Sequence, residues 1–165
     1  MINNSLYSEE ELGLLNPAYT GFILYSSISE FVAFKPSGMH CALPFVAIPM
    51  SMNKSISQKL PGTYKTPIGS WVTSNEGVLA SLYEQAESYN PIVKSAINFL
   101  LDKGIISITG NGTFLIENYN LVKSPALFKK SNDMKEALRA SKFIGKWFSH
   151  APSVETIYAQ LGIRP

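Results

Sequence analysis

Few residues in this chain have the side chains that catalysis or metal binding would need. The sequence holds two histidines, His40 and His150, and a single cysteine, Cys41. A zinc site takes three or four converging His, Cys or carboxylate ligands, which this set does not supply. His40 and Cys41 could form a thiol nucleophile pair, but such a pair needs a third, orienting group and a turn that exposes the sulfur. The sequence identifies neither.

The acidic residues are better explained by helix ends than by acid–base chemistry. Asp102 and Asp133, the only aspartates, both belong to predicted helix termini, and the polar lead-in of residues 1–12 ends in a Glu9–Glu11 cluster that favours the dipole of a following helix. No GxxxxGK[ST] loop or GxGxxG turn is present. The sequence therefore predicts a protein that is not an enzyme, with no catalytic, metal or cofactor-binding residues and no cofactor. A thiol enzyme using Cys41 is kept as an alternative.

The composition points to extensive burial or to contact with another protein. Charged residues make up 16% of the chain, against about a quarter in typical globular proteins. Between Leu12 and Asn53 the only charged residues are Glu30 and Lys35. This charge-poor segment is expected either to form a well buried core or, as the favoured interpretation, to form an obligate interface.

The same composition indicates where the protein works. A lone cysteine fits a reducing compartment. The start of the chain lacks the basic and then apolar run of a signal peptide, and no apolar run approaches the length of a membrane-spanning helix. A cytoplasmic location without membrane contact is expected.

Capping signals predict a series of helices. Asn16-Pro17 begins a helix that runs to about Phe34, and the apolar run after Cys41 predicts a helix through Lys59 that Pro49 could bend. A short helix around Trp71 follows. A further helix from Ser74 or Asn75 to about Ser88 and a separate one from Asn90-Pro91 to Asp102 are predicted next, and Ser131 and Ser153 cap the last two.

The helix that ends near Asp102 is followed by a β-hairpin. Ile106, Ile108, Phe114 and Ile116 alternate with polar residues on either side of the turn Gly110–Gly112. The fold class predicted is mainly α (α+β), a helical domain that contains a winged-helix unit with one β-hairpin wing. The predicted division is residues 1–62 as a charge-poor N-terminal helical region, residues 63–120 as the winged-helix-like unit and residues 121–165 as C-terminal helices on the same core.

The surface of that unit favours contact with protein over contact with DNA. The predicted helix before the hairpin offers Lys94 as a cation, and the turn of the wing has no Lys or Arg, whereas a DNA reader needs cations for phosphates and side chains for bases. The residues predicted for a protein interface are Phe22, Tyr25, Phe45, Lys94 and Asn98.

A separate basic stripe is predicted on the helix that follows Ser131. Lys135, Arg139, Lys142 and Lys146 fall within roughly 60° of one another on a helical wheel. Such a stripe is either a solvated helix face or a docking surface for DNA phosphates or an acidic partner protein. The two interpretations are level at this point.

Four runs of residues have the pattern of a known family. They are NPAY at 16–19, ALPFVAIPM at 42–50, SISQKLPGTYKTPIGSWV at 55–72 and FIGKWFSHAPSVETIYAQLGIRP at 143–165. Over most of its length the chain resembles the middle component of bacterial three-component ABC systems. The resemblance gives no residue a chemical role.

The resemblance implies partners. Members are small proteins encoded beside an SMC- or Rad50-like ABC ATPase and a third, variable effector component, in systems linked to defence against phages and plasmids. It implies a non-catalytic bridge between those two components, similar in role to the winged-helix subunits of condensin-like complexes, with a homodimer and an indirect or nonspecific DNA contact as further expectations. The alternative function is a winged-helix DNA-binding regulator.

Overall fold

The computed structural model describes residues 16–121, 125–129 and 131–164, so the predicted lead-in of residues 1–12 lies outside the described residues. The described residues form a mainly helical fold with a small antiparallel sheet, which confirms the coarse fold class. The helices are α1 (Pro17–Phe34), α2 (Pro44–Met52), α3 (Lys54–Ser57), α4 (Ile68–Ser74), α5 (Glu76–Asp102), α6 (Asn132–Ser149) and α7 (Val154–Leu161), with a 3-10 helix at Ala126–Lys129. The strands are β1 (Met39–His40), β2 (Ile106–Ile108) and β3 (Thr113–Ile116).

Helix α1 lies at the centre of the fold. It begins as predicted, because the Asn16 side chain accepts a hydrogen bond of 3.0 Å from the backbone N–H of Ala18 and Pro17 occupies the first turn. It packs against α6 and α5, and Ile23, Leu24 and Ile28 are fully buried. Burial on most sides explains why this helix has almost no charged residues.

Helix α5 corrects the prediction that a new helix begins at Asn90-Pro91. The structure has one helix of 27 residues with Pro91 inside it. Its buried residues keep a helical spacing on both sides of the proline, at Leu79, Leu82, Val93, Ala96 and Leu100. Since Pro91 is exposed, water can reach the carbonyl that the missing N–H leaves without a helical partner. Continuous burial of one face therefore outweighs the local preference of the proline.

The helix predicted to run from the apolar segment to Lys59 is also divided. Helix α2 contains Pro49 and ends at Met52, and Asn53, whose backbone is extended, separates it from the start of α3. The Asn53 amide donates to the Gln85 side chain at 3.0 Å and to the Ser81 hydroxyl at 3.3 Å. These bonds attach the break between α2 and α3 to α5.

The predicted β-hairpin is confirmed, and a third strand joins it. Strands β2 and β3 pair antiparallel, with Ile106 opposite Ile116, and Gly112 takes the positive φ of 74° that the turn requires. Strand β1 pairs with the other edge of β3, which gives the order β1-β3-β2. Because β1 lies in the range 1–62, the sheet extends beyond the predicted unit of residues 63–120, whose winged-helix assignment stays a prediction.

The last two helices begin where they were predicted. The Ser131 hydroxyl accepts from the N–H of Met134 at 3.4 Å, and that of Ser153 accepts from the N–H of Thr156 at 3.2 Å. Helix α6 buries Ile144 and Phe148 completely against the centre of the fold. Its other face carries the predicted basic stripe.

Candidate interaction surface

His40 and Cys41, the residues considered for nucleophilic chemistry, make hydrogen bonds that belong to the fold. His40 Nδ1 accepts a hydrogen bond of 3.1 Å from the backbone N–H of Ala42, and the backbone N–H of Cys41 donates to Gly112 at 2.9 Å. Cys41 is a half-buried free thiol. Among the described residues, no group of three or more His, Cys, Asp and Glu side chains could hold a metal ion.

Tyr158 holds the turn after β1 against α7. Its hydroxyl donates to the Ala42 carbonyl at 2.6 Å, and only 7% of the residue is exposed. Burial, with a smaller contribution from Cys41, raises the pKa of Tyr158 to about 12. This arrangement positions backbone and does not create a reactive group.

The predicted basic stripe lies on α6, but its cations differ in their surroundings. Lys135 is exposed. Arg139 makes two hydrogen bonds to Glu136, at 2.6 and 2.9 Å, and one of 2.9 Å to the Ser57 carbonyl. The guanidinium holds the pKa of the Glu136 carboxyl below its usual value, mainly through these hydrogen bonds, and Glu136 in turn raises the pKa of Arg139. Arg139 thus joins α6 to α3.

Lys146 is half-buried among aromatic rings. Its Nζ lies 4.4 Å from the ring centroid of Tyr64 and 4.9 Å from that of Phe34. The ring of His150 lies 4.7 Å from Tyr64 and 5.1 Å from Phe34. We call Phe34, Tyr64 and His150 the aromatic cluster. It marks the C-terminal end of the stripe.

A second basic segment runs beside α6 in the same direction. Lys54 pairs with Asp133 at 2.9 Å near the start of α6, and Trp147 Nε1 donates to the Thr66 carbonyl at 2.7 Å near its end. Between these contacts the segment contributes Lys59 and Lys65, both exposed.

We call the resulting surface the basic face. Its members are Lys54, Lys59, Lys65, Lys135, Arg139, Lys142 and Lys146. Sequence reasoning found the four on α6 and missed the three lysines of the neighbouring segment. A signal for them existed, because no Asp or Glu occurs between Glu30 and Glu76. Their location beside α6, however, is set by tertiary packing.

The residues predicted for a protein interface do not form one exposed group. Tyr25 is only 7% exposed and its hydroxyl donates to the Asn118 carbonyl at 3.3 Å, so it belongs to the core of the chain and not to a free surface. Phe22 is half-buried, with its ring 5.0 Å from that of Phe128. Phe45 is also half-buried, while Lys94 and Asn98 are exposed on α5.

The shortage of charge in the N-terminal segment is accounted for inside the chain. Most of α1 and α2 is buried, and the Lys35 ammonium donates to the Ala151 carbonyl at 2.8 Å. Burial within the chain therefore accounts for much of the low charge, as the buried-core interpretation expected, and the interface predicted for residues 1–62 stays a prediction. The large apolar side chains that are exposed among the described residues are Phe34, Tyr83, Ile108 and Tyr119.

The sequence matches one known protein family over almost its whole length. A family model described as ABC-three component (ABC-3C) system Middle Component 3 matches residues 4–165. The chain belongs to this family. Searches of curated proteins and of solved structures gave no match to this Middle Component 3 chain.

The match covers both surfaces of the Middle Component 3 chain described above. The basic face and the β-hairpin both lie inside residues 4–165, and the runs that first suggested the family fold around α6. The run at 42–50 contains most of α2, that at 55–72 lies along α6, and that at 143–165 includes the end of α6 and α7. Among its described residues, no helix combines the length and the apolar character that crossing a bilayer requires.

Proposed function

We propose that this Middle Component 3 chain is a non-catalytic adaptor that links an SMC- or Rad50-like ABC ATPase to the third component of its system. The observation that carries the proposal is the family match over residues 4–165, which makes the chain one component of a multi-component ABC system. Defence against phage or plasmid DNA is the role that the resemblance implies for the assembled system.

The surroundings of His40 and Cys41 support an adaptor over an enzyme. His40 Nδ1 is engaged by the backbone N–H of Ala42, and the backbone of Cys41 is paired across the sheet with Gly112. Both residues therefore have a structural explanation as parts of the turn between β1 and α2. A nucleophile pair would instead need the imidazole nitrogen directed at the sulfur.

The hairpin side of α5 is the surface that we propose for the partner proteins. Ile108 is 53% exposed at the hairpin, and Lys94 and Asn98 are exposed on the adjoining helix. An exposed apolar residue at the hairpin, with exposed polar residues on the helix that precedes it, has the composition of the apolar centre and polar rim of a protein interface. A homodimer through the half-buried Phe22 and Phe45 is the second arrangement that we propose to test.

Co-expression of the three components tests the adaptor. With an affinity tag on the ATPase, we expect this chain and the third component to be recovered together, and omission of this chain to release the third component. Ile108→Glu should weaken recovery, while the exposed change Glu76→Gln, at the opposite end of α5, should not. A chain that stays monomeric by light scattering and binds neither component contradicts the proposal.

The alternative, a winged-helix DNA-binding regulator, is favoured by one observation. A helix, a strand, further helices and a hairpin follow one another along the chain, and the sheet order is β1-β3-β2, which suits a winged helix that starts at α1. The hairpin, from Gly104 to Ile116, has no Lys or Arg, which disfavours a wing that contacts phosphates. Binding of the isolated chain to a defined duplex, lost on Lys94→Glu, would favour the regulator.

A further inference from the structure

We propose that the basic face, together with the cleft at its end, binds single-stranded nucleic acid. The proposal goes beyond the adaptor role and does not depend on it. It rests on three features that meet at one surface: an excess of cations from two segments, a partly exposed aromatic cluster, and a cleft large enough for an unpaired base.

The first feature is the charge. The basic face has seven cations, and the acidic residues on the same stretch of α6 are Asp133 and Glu136. Each of these carboxylates is already paired, Asp133 with Lys54 and Glu136 with Arg139. Over the whole face, seven cations and two carboxylates leave a net charge of +5, and the part of the face on α6 extends from Lys135 to Lys146, a length of about 16 Å. A linear polyanion matches a row of cations of this kind.

The second feature is the aromatic cluster. Phe34 is 49% exposed, and its ring adjoins those of Tyr64 and His150. Lys146 holds the cluster against α6 from one side. Exposed aromatic rings beside a cationic track are the combination by which proteins bind single strands, because unpaired bases stack on the rings while the phosphates meet the cations.

The third feature is a cleft of about 380 Å³ between the segment after α3, the end of α6 and helix α7. Tyr64, Lys65, His150 and Gln160 are among the residues that line it. The volume lies in the range of small-molecule sites, and the lining offers rings to stack on, a cation and an amide that can both donate and accept hydrogen bonds. The bases of a duplex are stacked inside the helix and cannot enter, which is why we favour a single strand.

Fluorescence anisotropy with the full chain tests the proposal. The probes are end-labelled oligonucleotides of about 16 residues, namely oligo-dT, oligo-U and a DNA duplex of the same length. We expect both single strands to bind, because the cations and rings act on features that DNA and RNA share, and the duplex to bind at least tenfold more weakly. Each phosphate contact would contribute about −0.7 to the slope of log affinity against log salt concentration.

Matched variants locate the binding surface. Lys59→Glu/Lys65→Glu should reduce affinity for oligo-dT by about tenfold or more and make the salt slope shallower by about 1.4. Lys94→Glu/Lys103→Glu changes the net charge equally, on α5 and at the residue that follows it, and should leave affinity within about twofold. Phe34→Ala should reduce affinity about tenfold, whereas Tyr119→Ala, at another exposed aromatic residue, should not.

Several results would overturn the proposal. If the duplex binds as tightly as the single strands or more tightly, the cleft and the rings have no role in binding. If Lys59→Glu/Lys65→Glu and Lys94→Glu/Lys103→Glu lose equal affinity for oligo-dT, binding cannot be assigned to the basic face. If no oligonucleotide binds and the ATPase is instead recovered through Lys59 and Lys65, the face binds an acidic protein. The co-expression experiment with Ile108→Glu does not involve oligonucleotides. A failure of the nucleic-acid proposal therefore leaves its result unchanged and can be told apart from a failure of the adaptor proposal.

Discussion

A Cβ atom built on Gly145 would lie 2.1 Å from the carbonyl oxygen of Ser27. Both residues are buried where α6 packs against the central helix α1. The obstacle is main chain and not the end of a flexible side chain, so it cannot rotate away. The close approach of these two helices therefore depends on glycine at position 145.

Gly145→Ala should destabilise the protein, because the added methyl group can fit only if α1 and α6 move apart. The expected loss in the free energy of unfolding is about 1–3 kcal/mol, measured by urea denaturation. Ser27→Ala is the matched control at the same contact. The Ser27 hydroxyl is buried with no hydrogen-bond partner among the described residues, so its removal should leave stability unchanged or raise it. Equal stability of Gly145→Ala and the wild type would contradict the packing described.

Pro91→Ala should stabilise the protein. Proline inside a helix costs about 3 kcal/mol relative to alanine, and here the side chain is exposed, so its replacement removes little packing. We expect a gain of about 1–3 kcal/mol in the free energy of unfolding. Asn90→Ala, at the neighbouring exposed position, should change stability far less. Loss of stability in Pro91→Ala would mean that a helix interrupted at this residue is the preferred state.

The error at Pro91 shows what local signals leave out. Asn90-Pro91 has the chemistry of a helix start, yet the buried residues of α5, such as Leu82 and Val93, keep their helical spacing across it. Where no long-range packing competed, at Asn16, Ser131 and Ser153, the same signals placed the helix starts correctly.

The surfaces were harder to predict than the elements, because a surface depends on which segments become neighbours. Lys135 and Arg139 could be placed on one face from their spacing alone. Lys59 and Lys65 could not, since their position beside α6 depends on contacts such as that of Trp147 with Thr66. Tyr25 was expected at an interface because it lies in a segment without charge, and the structure places it in the core.

Lys146→Met should lower stability through loss of the contact between the ammonium and two aromatic rings. The variant keeps the apolar stem of the side chain, so the expected loss of about 1 kcal/mol reports the cation–π interaction. Lys135→Met is the control, because Lys135 is exposed about three turns earlier on the same helix. If both variants lose the same stability in thermal unfolding, the rings around Lys146 contribute nothing specific.

Cys41→Ser tests the thiol-enzyme alternative. Under the role proposed above, we expect the variant to retain its thermal stability within about 1 kcal/mol, to be recovered with the ATPase and to protect against plasmid or phage DNA as well as the wild type does. The reason is that the backbone of Cys41, which pairs with Gly112, is unchanged by the substitution. A folded variant that assembles but has lost protection would establish a chemical role for the sulfur.

Tyr158→Phe should weaken the fold at neutral pH and should flatten its response to alkali. Loss of the hydrogen bond to the buried Ala42 carbonyl is expected to cost about 1 kcal/mol at pH 8. Because burial raises the pKa of Tyr158 to about 12, the unfolded state, with a tyrosine pKa of about 10, loses its proton first as the pH rises. The stability that the neutral hydroxyl contributes is therefore complete below about pH 10 and is lost as the pH rises toward 12.

The two predictions for Tyr158 are separated by measuring urea midpoints at pH 8 and at pH 11. Between pH 8 and pH 11 the wild type should lose more stability than Tyr158→Phe. The difference in the free energy of unfolding between the two proteins should therefore be smaller at pH 11. Tyr119→Phe, at a residue 68% exposed, should follow the wild type at both. Burial also raises the pKa of Tyr19 to about 12, and since this residue is present in all three proteins, its contribution cancels in the comparison. Parallel decline of the wild type and Tyr158→Phe would show that the Tyr158 hydroxyl ionises alike in the folded and unfolded states.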